Sequence, residues 1–299
     1  MNQSEMTTKI RDGNGFIAAL DQSGGSTPKA LKGYGIEEGA WSNDEEMFAL
    51  IHQMRSRIIT SPSFGSGKVI GAILFERTMD GQVAGKPTPQ ALIDLGIVPF
   101  IKIDKGLEDE ANGVQMMKPN PGLDDLLTRA KGLGVFGTKE RSVINLANQA
   151  GIAAVVAQQF EVARQVLAHG MMPIVEPEVS IKSPERDAAD RILLQEILKQ
   201  LDTIAPGEQV MLKLTIPAEP GLFQPLVDHP KVLRVVALSG GFSRDEACRE
   251  LAKNPGMIAS FSRALLSDLR HGQTDEEFDR TLGQAIDEIH EASVARVPA

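Results

Sequence analysis

Short apolar runs bounded by turn-forming residues recur along the chain, at residues 15–20, 69–75, 98–103, 135–139, 172–175, 209–216, 232–238 and 257–261. Each has the length of a strand, and a run that is apolar throughout is what a strand buried on both faces requires. Between the runs the spacing turns helical. Ser42-Asn43-Asp44-Glu45-Glu46 supplies capping and acidic residues ahead of a stretch at 47–59, and 153–169 reads as a helix stopped by Gly170. Strand and helix alternate from end to end, with no Pro/Gly-rich linker or charge block dividing them. Eight β/α units predict an α/β fold, a TIM (β/α)8 barrel in a single catalytic domain covering 1–299. An open, doubly wound sheet is the alternative that the same alternation allows. The units are uneven: 106–121 reads as loop and 142–170 as two helices broken near Ala150-Gly151. Residues 275–294 read as a helix, acidic at its start, that either closes the barrel or packs on another subunit.

One run holds an anomaly. In Gln209-Val210-Met211-Leu212-Lys213-Leu214-Thr215-Ile216-Pro217 an ammonium sits in mid-strand. Burial disfavours the charged amine, so Lys213 is either paired with a carboxylate or put to use as a nucleophile toward a carbonyl. Taken alone, the ion pair is the simpler account. The other strand ends weigh toward the nucleophile, because barrel enzymes gather their chemistry at the C-terminal ends of the strands. The first run ends in Asp21, the second in Glu76, and the third carries Lys102 and Asp104. The fourth ends Lys139-Glu140-Arg141 and the fifth Glu176-Pro177-Glu178. The seventh ends Ser239-Gly240-Gly241, and the eighth leads into Ser260-Phe261-Ser262-Arg263. Reactive groups at every end mark the mouth as an active site. Glu76, Asp104 and Lys105 serve equally well as rim or structural charges.

Ser239-Gly240-Gly241 falls where barrels commonly bind phosphate, since glycines let backbone N–H groups approach an anion. Such a triplet is also an ordinary turn. Arg263, at the start of a predicted short helix, adds a guanidinium that matches phosphate oxygens, and the pair points to a phosphate site. A second anion cradle is predicted at Asp21-Gln22-Ser23-Gly24-Gly25-Ser26-Thr27-Pro28-Lys29, where hydroxyls, glycines and a helix start meet. Two anion sites flanking one lysine predict a bisphosphorylated substrate.

Composition narrows the rest. With 31 basic against 40 acidic residues and a net charge of −9, no basic field favours nucleic acid or an anionic membrane. Cys248 is the only cysteine, so no intramolecular disulfide or cysteine-rich metal site can form. His52, His169, His229, His271 and His290 are not at ligand spacing, and no metal is expected. No run approaches the roughly 18 apolar residues of a membrane span, and the N-terminus lacks the apolar core of a signal peptide, so a cytoplasmic location is expected. Barrels commonly associate, which makes a homo-oligomer the expectation.

At these residues the chain resembles class I fructose-bisphosphate aldolase, most closely its short bacterial form, over roughly residues 15–292. The resemblance rests on Gly15-Phe16-Ile17-Ala18-Ala19-Leu20-Asp21-Gln22-Ser23, Ile101-Lys102-Ile103-Asp104-Lys105-Gly106, the Lys139 and Arg141 pair, Val175-Glu176-Pro177-Glu178, and Leu212-Lys213-Leu214. It implies cleavage of fructose 1,6-bisphosphate through a Schiff base on Lys213, without cofactor. By the same resemblance Glu176 is the acid/base, Glu178 holds the lysine network, and Lys139 supplies a second positive charge. Asp21 contacts the hydroxyl that loses its proton. Ser239, Gly240, Gly241, Ser260 and Arg263 hold one phosphate, and Ser23, Ser26 and Lys102 lie near the other, with Arg141 assisting at the mouth.

Three positions depart from the animal members of that family. Those end in a tyrosine that handles the enamine proton, whereas this chain ends Ala295-Arg296-Val297-Pro298-Ala299 and its one tyrosine is Tyr34. Ala30 stands where they carry arginine, and Ser262 where they carry glycine beside Arg263. Another phosphorylated ketose as substrate, and a non-catalytic sugar-phosphate binder on an inherited barrel, are the competing readings.

Overall fold

A computed structural model describes residues 1–295. Eight parallel strands form the barrel wall: β1 Phe16–Leu20, β2 Val69–Leu74, β3 Val98–Lys102, β4 Gly137–Ile144, β5 Met172–Val179, β6 Val210–Thr215, β7 Val232–Leu238 and β8 Ile258–Ala259. They pair in chain order from β1 to β8. The two ends of the sheet meet where the Ala19 amide donates to the Phe261 carbonyl at 3.2 Å. The TIM barrel expected from the eight apolar runs is the observed fold.

Strand alternation sorts the wall into two faces. Outward residues such as Phe16, Ala18, Leu20, Leu212 and Leu214 pack into the helix layer, while Ile17, Ala19, Phe100, Ile174, Met211, Val236 and Ile258 fill the barrel's interior. The lower opening is plugged by the helix Gln3–Asp12, whose Met6 and Ile10 join that interior cluster. The Asn2 side chain accepts from Glu5 N and the Glu5 carboxylate returns the bond, so a capping box starts the plug.

The fourth and fifth strands run further than their apolar runs suggest. β4 continues past Arg141 to Ile144 because the two residues Val114–Gln115, inside the segment read as loop, pair antiparallel with its end. β5 stays in register with it to Val179, which places Glu176 and Glu178 within a strand rather than beyond one. The expected break near Ala150-Gly151 is absent: Gln149–Ala168 is one helix, capped by the Asn148 side chain on Gly151 N. Gly151 is required by close approach, since a Cβ there would lie 2.4 Å from the Asn112 carbonyl oxygen. In sequence, that packing glycine imitates a helix breaker. The helix Asp275–Val294 closes the barrel's outer layer, burying Phe278, Leu282, Ile286 and Ile289, and Ser293 accepts from the Ala259 amide beside the seam. Among the described residues no helix is long and apolar enough to cross a membrane.

Candidate active site

Above the apolar interior, the next inward positions on the same strands are charged. Asp21 follows β1 directly; Lys102 ends β3; Lys139 and Arg141 lie on β4; Glu176 and Glu178 lie on β5; Lys213 is at the middle of β6. Lys139, Glu176 and Lys213 are each less than 5 % exposed. Water contributes little to solvating them, so they must solvate one another.

The geometry is a chain of alternating charges. Lys139 Nζ stands 2.7 Å from Asp21 Oδ2 and 2.8 Å from Glu176 Oε2. The other oxygen of the same carboxylate, Glu176 Oε1, is 3.3 Å from Lys213 Nζ. One glutamate therefore bridges two lysines. Burial alone would raise the Asp21 and Glu176 carboxyls, but Lys139 and Lys213 outweigh it and hold both below their usual range, Asp21 far below. Burial alone would lower Lys139, and the attraction of Asp21 and Glu176 reverses that, so its ammonium is held well above the ordinary lysine range.

Glu178 is placed differently from expectation. It pairs with Arg141, Nε to Oε2 at 2.5 Å, and the lysines are held by Glu176 instead. The reason is strand geometry: Arg141 follows Lys139, and Glu178 follows Glu176, at the next inward position along its own strand, nearer the mouth. Burial would lower the Arg141 guanidinium, but Glu178 outweighs it and keeps Arg141 firmly charged. Lys102 Nζ reaches Asp104 Oδ1 at 2.8 Å and Ser23 Oγ at 3.1 Å, joining the first and third strand ends. Of the residues open to a rim role, Glu76 pairs with both Lys105 and Arg129 on the outside, whereas Asp104 belongs with Lys102.

Opposite this group lies the glycine turn after β7. Gly240 and Gly241 have φ of 60° and 120°, both in the left-handed region that favours glycine. A Cβ on Gly241 would lie 3.4 Å from a terminal nitrogen of Arg263, so the guanidinium stands against the bare turn. Ser239 and Ser260 are buried at its edge, and the Ser260 hydroxyl has no hydrogen-bond partner among the described residues. Backbone, guanidinium and an uncommitted hydroxyl are thus brought together. The first loop is more self-contained: Ser26 Oγ accepts from Ser23 N at 2.9 Å and donates to Ser23 O at 2.8 Å, starting the helix Ser26–Tyr34.

Two buried charged side chains, Arg55 behind the first loop and Glu140 on the outer face of β4, fall outside the predicted site roles. Arg55 is fully buried, and its two terminal nitrogens donate to Thr78 Oγ1 at 2.7 Å and to the Gln22 carbonyl at 2.5 Å. Gln22 Nε2 in turn donates to Ser262 Oγ at 2.5 Å. Nothing local marks Arg55, which alternates with the partly exposed Arg57 on one helix. Glu140, between the two basic residues of β4, points away from the mouth toward a cavity of about 170 Å³ beside Ile103, Met117 and Gln158. Burial, with Asp104 adding to it, raises its carboxyl well above the usual range.

Tyr34 is in the helix layer, its ring against His271 and Phe278 and its hydroxyl accepting from Arg57 at 3.2 Å. Arg296, Val297, Pro298 and Ala299 lie outside the described residues. Among the described residues no three or more His, Cys, Asp or Glu side chains are grouped to hold a metal.

Residues 3–216 match the glycolytic family described as fructose-bisphosphate aldolase class-I. Among solved structures, fructose-bisphosphate aldolase from Plasmodium falciparum superposes with a TM-score of 0.81 at 20 % identity, over 99 % of this chain and 96 % of that one. A protein from Corynebacterium glutamicum superposes with a TM-score of 0.56 at 13 % identity, over 97 % of this chain and 92 % of that one. At such identities the two structures speak for the barrel.

Proposed function

The chain belongs to the class-I fructose-bisphosphate aldolase family, and on that premise we propose that it reversibly cleaves fructose 1,6-bisphosphate to dihydroxyacetone phosphate and glyceraldehyde 3-phosphate through a Schiff base on Lys213. The observation that carries this reading is the shared carboxylate: Glu176 meets Lys213 with one oxygen and Lys139 with the other. Lys139 is engaged at 2.7 and 2.8 Å by Asp21 and Glu176, whereas among the described residues Lys213 pairs only with the other Glu176 oxygen at 3.3 Å, which makes it the less committed amine.

In the proposed sequence Lys213 Nζ attacks the ketone carbon and gives a carbinolamine. Glu176, 3.3 Å away and ionised at rest, takes the proton that an ammonium must lose before it can attack and later gives it to the carbinolamine hydroxyl, which leaves as water and yields an iminium. Lys139 stays protonated throughout, held by Asp21 and Glu176. Asp21, ionised, accepts the hydrogen bond of the hydroxyl whose proton is lost as the carbon–carbon bond breaks. The bonding electrons flow into the iminium, leaving an enamine on Lys213, so the lysine supplies the electron sink and no metal or cofactor is required. Protonation and hydrolysis of the enamine release the second product.

Arg263, Ser260 and the Gly240–Gly241 turn would hold one phosphate, and Lys102 with Ser23 the other, Arg141 assisting. The substrate would therefore lie across the mouth with its carbonyl over β6. Ser26, committed to its own turn, would act by shaping the first loop. A cytoplasmic homo-oligomer acting in glycolysis or gluconeogenesis completes the proposal.

Borohydride reduction in the presence of substrate, followed by peptide mass spectrometry, is expected to place the adduct on Lys213. Label on another lysine, or none during turnover, would sink the mechanism. Chelators are expected to leave the rate unchanged.

A further inference from the structure

The barrel is closed most thinly between its first and last strands. β8 is two residues long, and it pairs with β7, while the Ala19 to Phe261 hydrogen bond joins it to β1. Yet the two loops on either side of this seam carry groups for opposite ends of the substrate: Asp21 and Ser23 on one side, Ser260 and Arg263 on the other. Something besides backbone pairing must hold those loops at a fixed separation.

The side chains that do so are already in place. Gln22 follows Asp21 in the chain, and Ser262 precedes Arg263. Gln22 Nε2 donates to Ser262 Oγ at 2.5 Å and to Ala19 O at 3.3 Å, crossing the seam above the last backbone contact. Arg55 holds Gln22 from behind, donating to its main-chain oxygen at 2.5 Å and its side-chain oxygen at 3.2 Å. Its other terminal nitrogen is fixed on Thr78, in the short helix Glu76–Met79 that follows β2. The loops after β8, β1 and β2 are thus tied to one buried guanidinium. Burial brings Arg55 down to about 10, so it is charged at neutral pH, and Asp21 is the carboxylate that favours its charge. Fixing the side-chain amide from both ends also sets its orientation: the oxygen faces Arg55 and the nitrogen faces Ser262.

We propose that Arg55, Gln22 and Ser262 form a bridge of positioning residues that sets Asp21 and Arg263 relative to each other, and so couples hydroxyl recognition at one end of the substrate to phosphate recognition at the other. The kinetic part of this proposal rests on the aldolase reading; the positional part does not. Each bridge residue acts through a chain neighbour or a hydrogen bond, and none needs to touch substrate. A hydroxyl at 262 is essential to it, since glycine there would leave Gln22 Nε2 without its acceptor across the seam.

The test is a double-mutant cycle on Gln22→Ala and Ser262→Ala, with KM and kcat for fructose 1,6-bisphosphate and the melting temperature of each variant. Each single substitution is expected to raise KM about 5- to 10-fold, because either one severs the same link. The double variant is expected to be no worse than Gln22→Ala alone, and Ser262→Thr, which keeps the hydroxyl, to recover most of the loss. Crystal structures of the two single variants without substrate give the second reading, with the Asp21 and Arg263 side chains displaced relative to each other. Additive KM effects, an unchanged KM in Ser262→Ala, or the two side chains unmoved would each overturn the bridge. If the wild type fails to turn over fructose 1,6-bisphosphate, the functional reading falls, and the variant structures still decide the bridge.

Discussion

The floor and the mouth of this barrel are built from the same strands, one or two inward positions apart, and they obey opposite rules. At the floor, Ile17, Phe100, Ile174 and Met211 fill space with apolar atoms and are sealed by Met6 and Ile10. At the mouth, Asp21, Lys102, Glu176 and Lys213 continue the same strand faces with charges that only neighbouring charges can satisfy. Floor residues can be exchanged for others of equal volume, because dispersion and water exclusion do not depend on which atom is where. Mouth residues cannot, because each oxygen and nitrogen has an assigned partner. The difference predicts that changes at the two levels separate into losses of stability and losses of rate.

The widest separation is expected at Lys213. Lys213→Met keeps the length of the side chain and removes the nucleophile, so kcat should fall on the order of 10⁴-fold or more while the chain stays folded, since Glu176 retains Lys139. Circular dichroism beside the rate assay checks both halves; substantial residual turnover would mean another amine forms the adduct. Phe100→Ala is the converse. It empties the floor beneath Lys102 and should cost about 3–5 kcal/mol in denaturant unfolding, with KM and kcat of the folded enzyme close to wild type. Kinetic collapse without loss of stability would erase the distinction between the levels.

Arg263→Ala tests the mouth at its exposed edge and should raise KM about 10- to 100-fold with a smaller change in kcat, because the phosphate contact is present in both substrate and transition state. The smallest effect is expected on the outer face of β4. Glu140 is buried without a hydrogen-bond partner among the described residues, and its raised carboxyl binds a proton more tightly in the folded chain than in the unfolded one. Its contribution to stability is therefore full below an unfolded value of about 4.3 and is lost as pH rises toward the raised folded value. Glu140→Gln should match wild type near pH 4 and melt higher at pH 8, by about 2–4 °C if it gains about 1 kcal/mol. A wild type that is the more stable at pH 8 would show that Glu140 is paired and charged.

The sequence made the floor legible and the mouth partly so. All eight apolar runs are strands, because a strand buried on both faces leaves no room for polar residues and announces itself in composition. Lys139, Glu176 and Lys213 stood out for the same reason, as charges in or beside apolar runs. Where β4 and β5 end was not legible, since the pairing that extends β4 comes from Val114–Gln115, distant in sequence. Gly151 misled because a glycine needed for close packing has the same letter as one that ends a helix. Arg55 was invisible, since an arginine on a helix reads as surface and only the tertiary fold buries it, while Glu140 was counted with its basic neighbours at the fourth strand end and strand alternation turns it to the outer face instead.

The plug of the floor has a consequence for the order in which the molecule assembles. Met6 and Ile10 have nothing to pack on until strands from all around the ring have converged, and Arg234 on β7 reaches back to the Arg11 carbonyl across 223 positions of chain. During synthesis this helix therefore leaves the ribosome long before its docking place exists. It has to wait as a solvated, self-capped segment, which the reciprocal bonds of Asn2 and Glu5 make tolerable. Made before the strands that receive it, this helix is among the last elements to reach its final position.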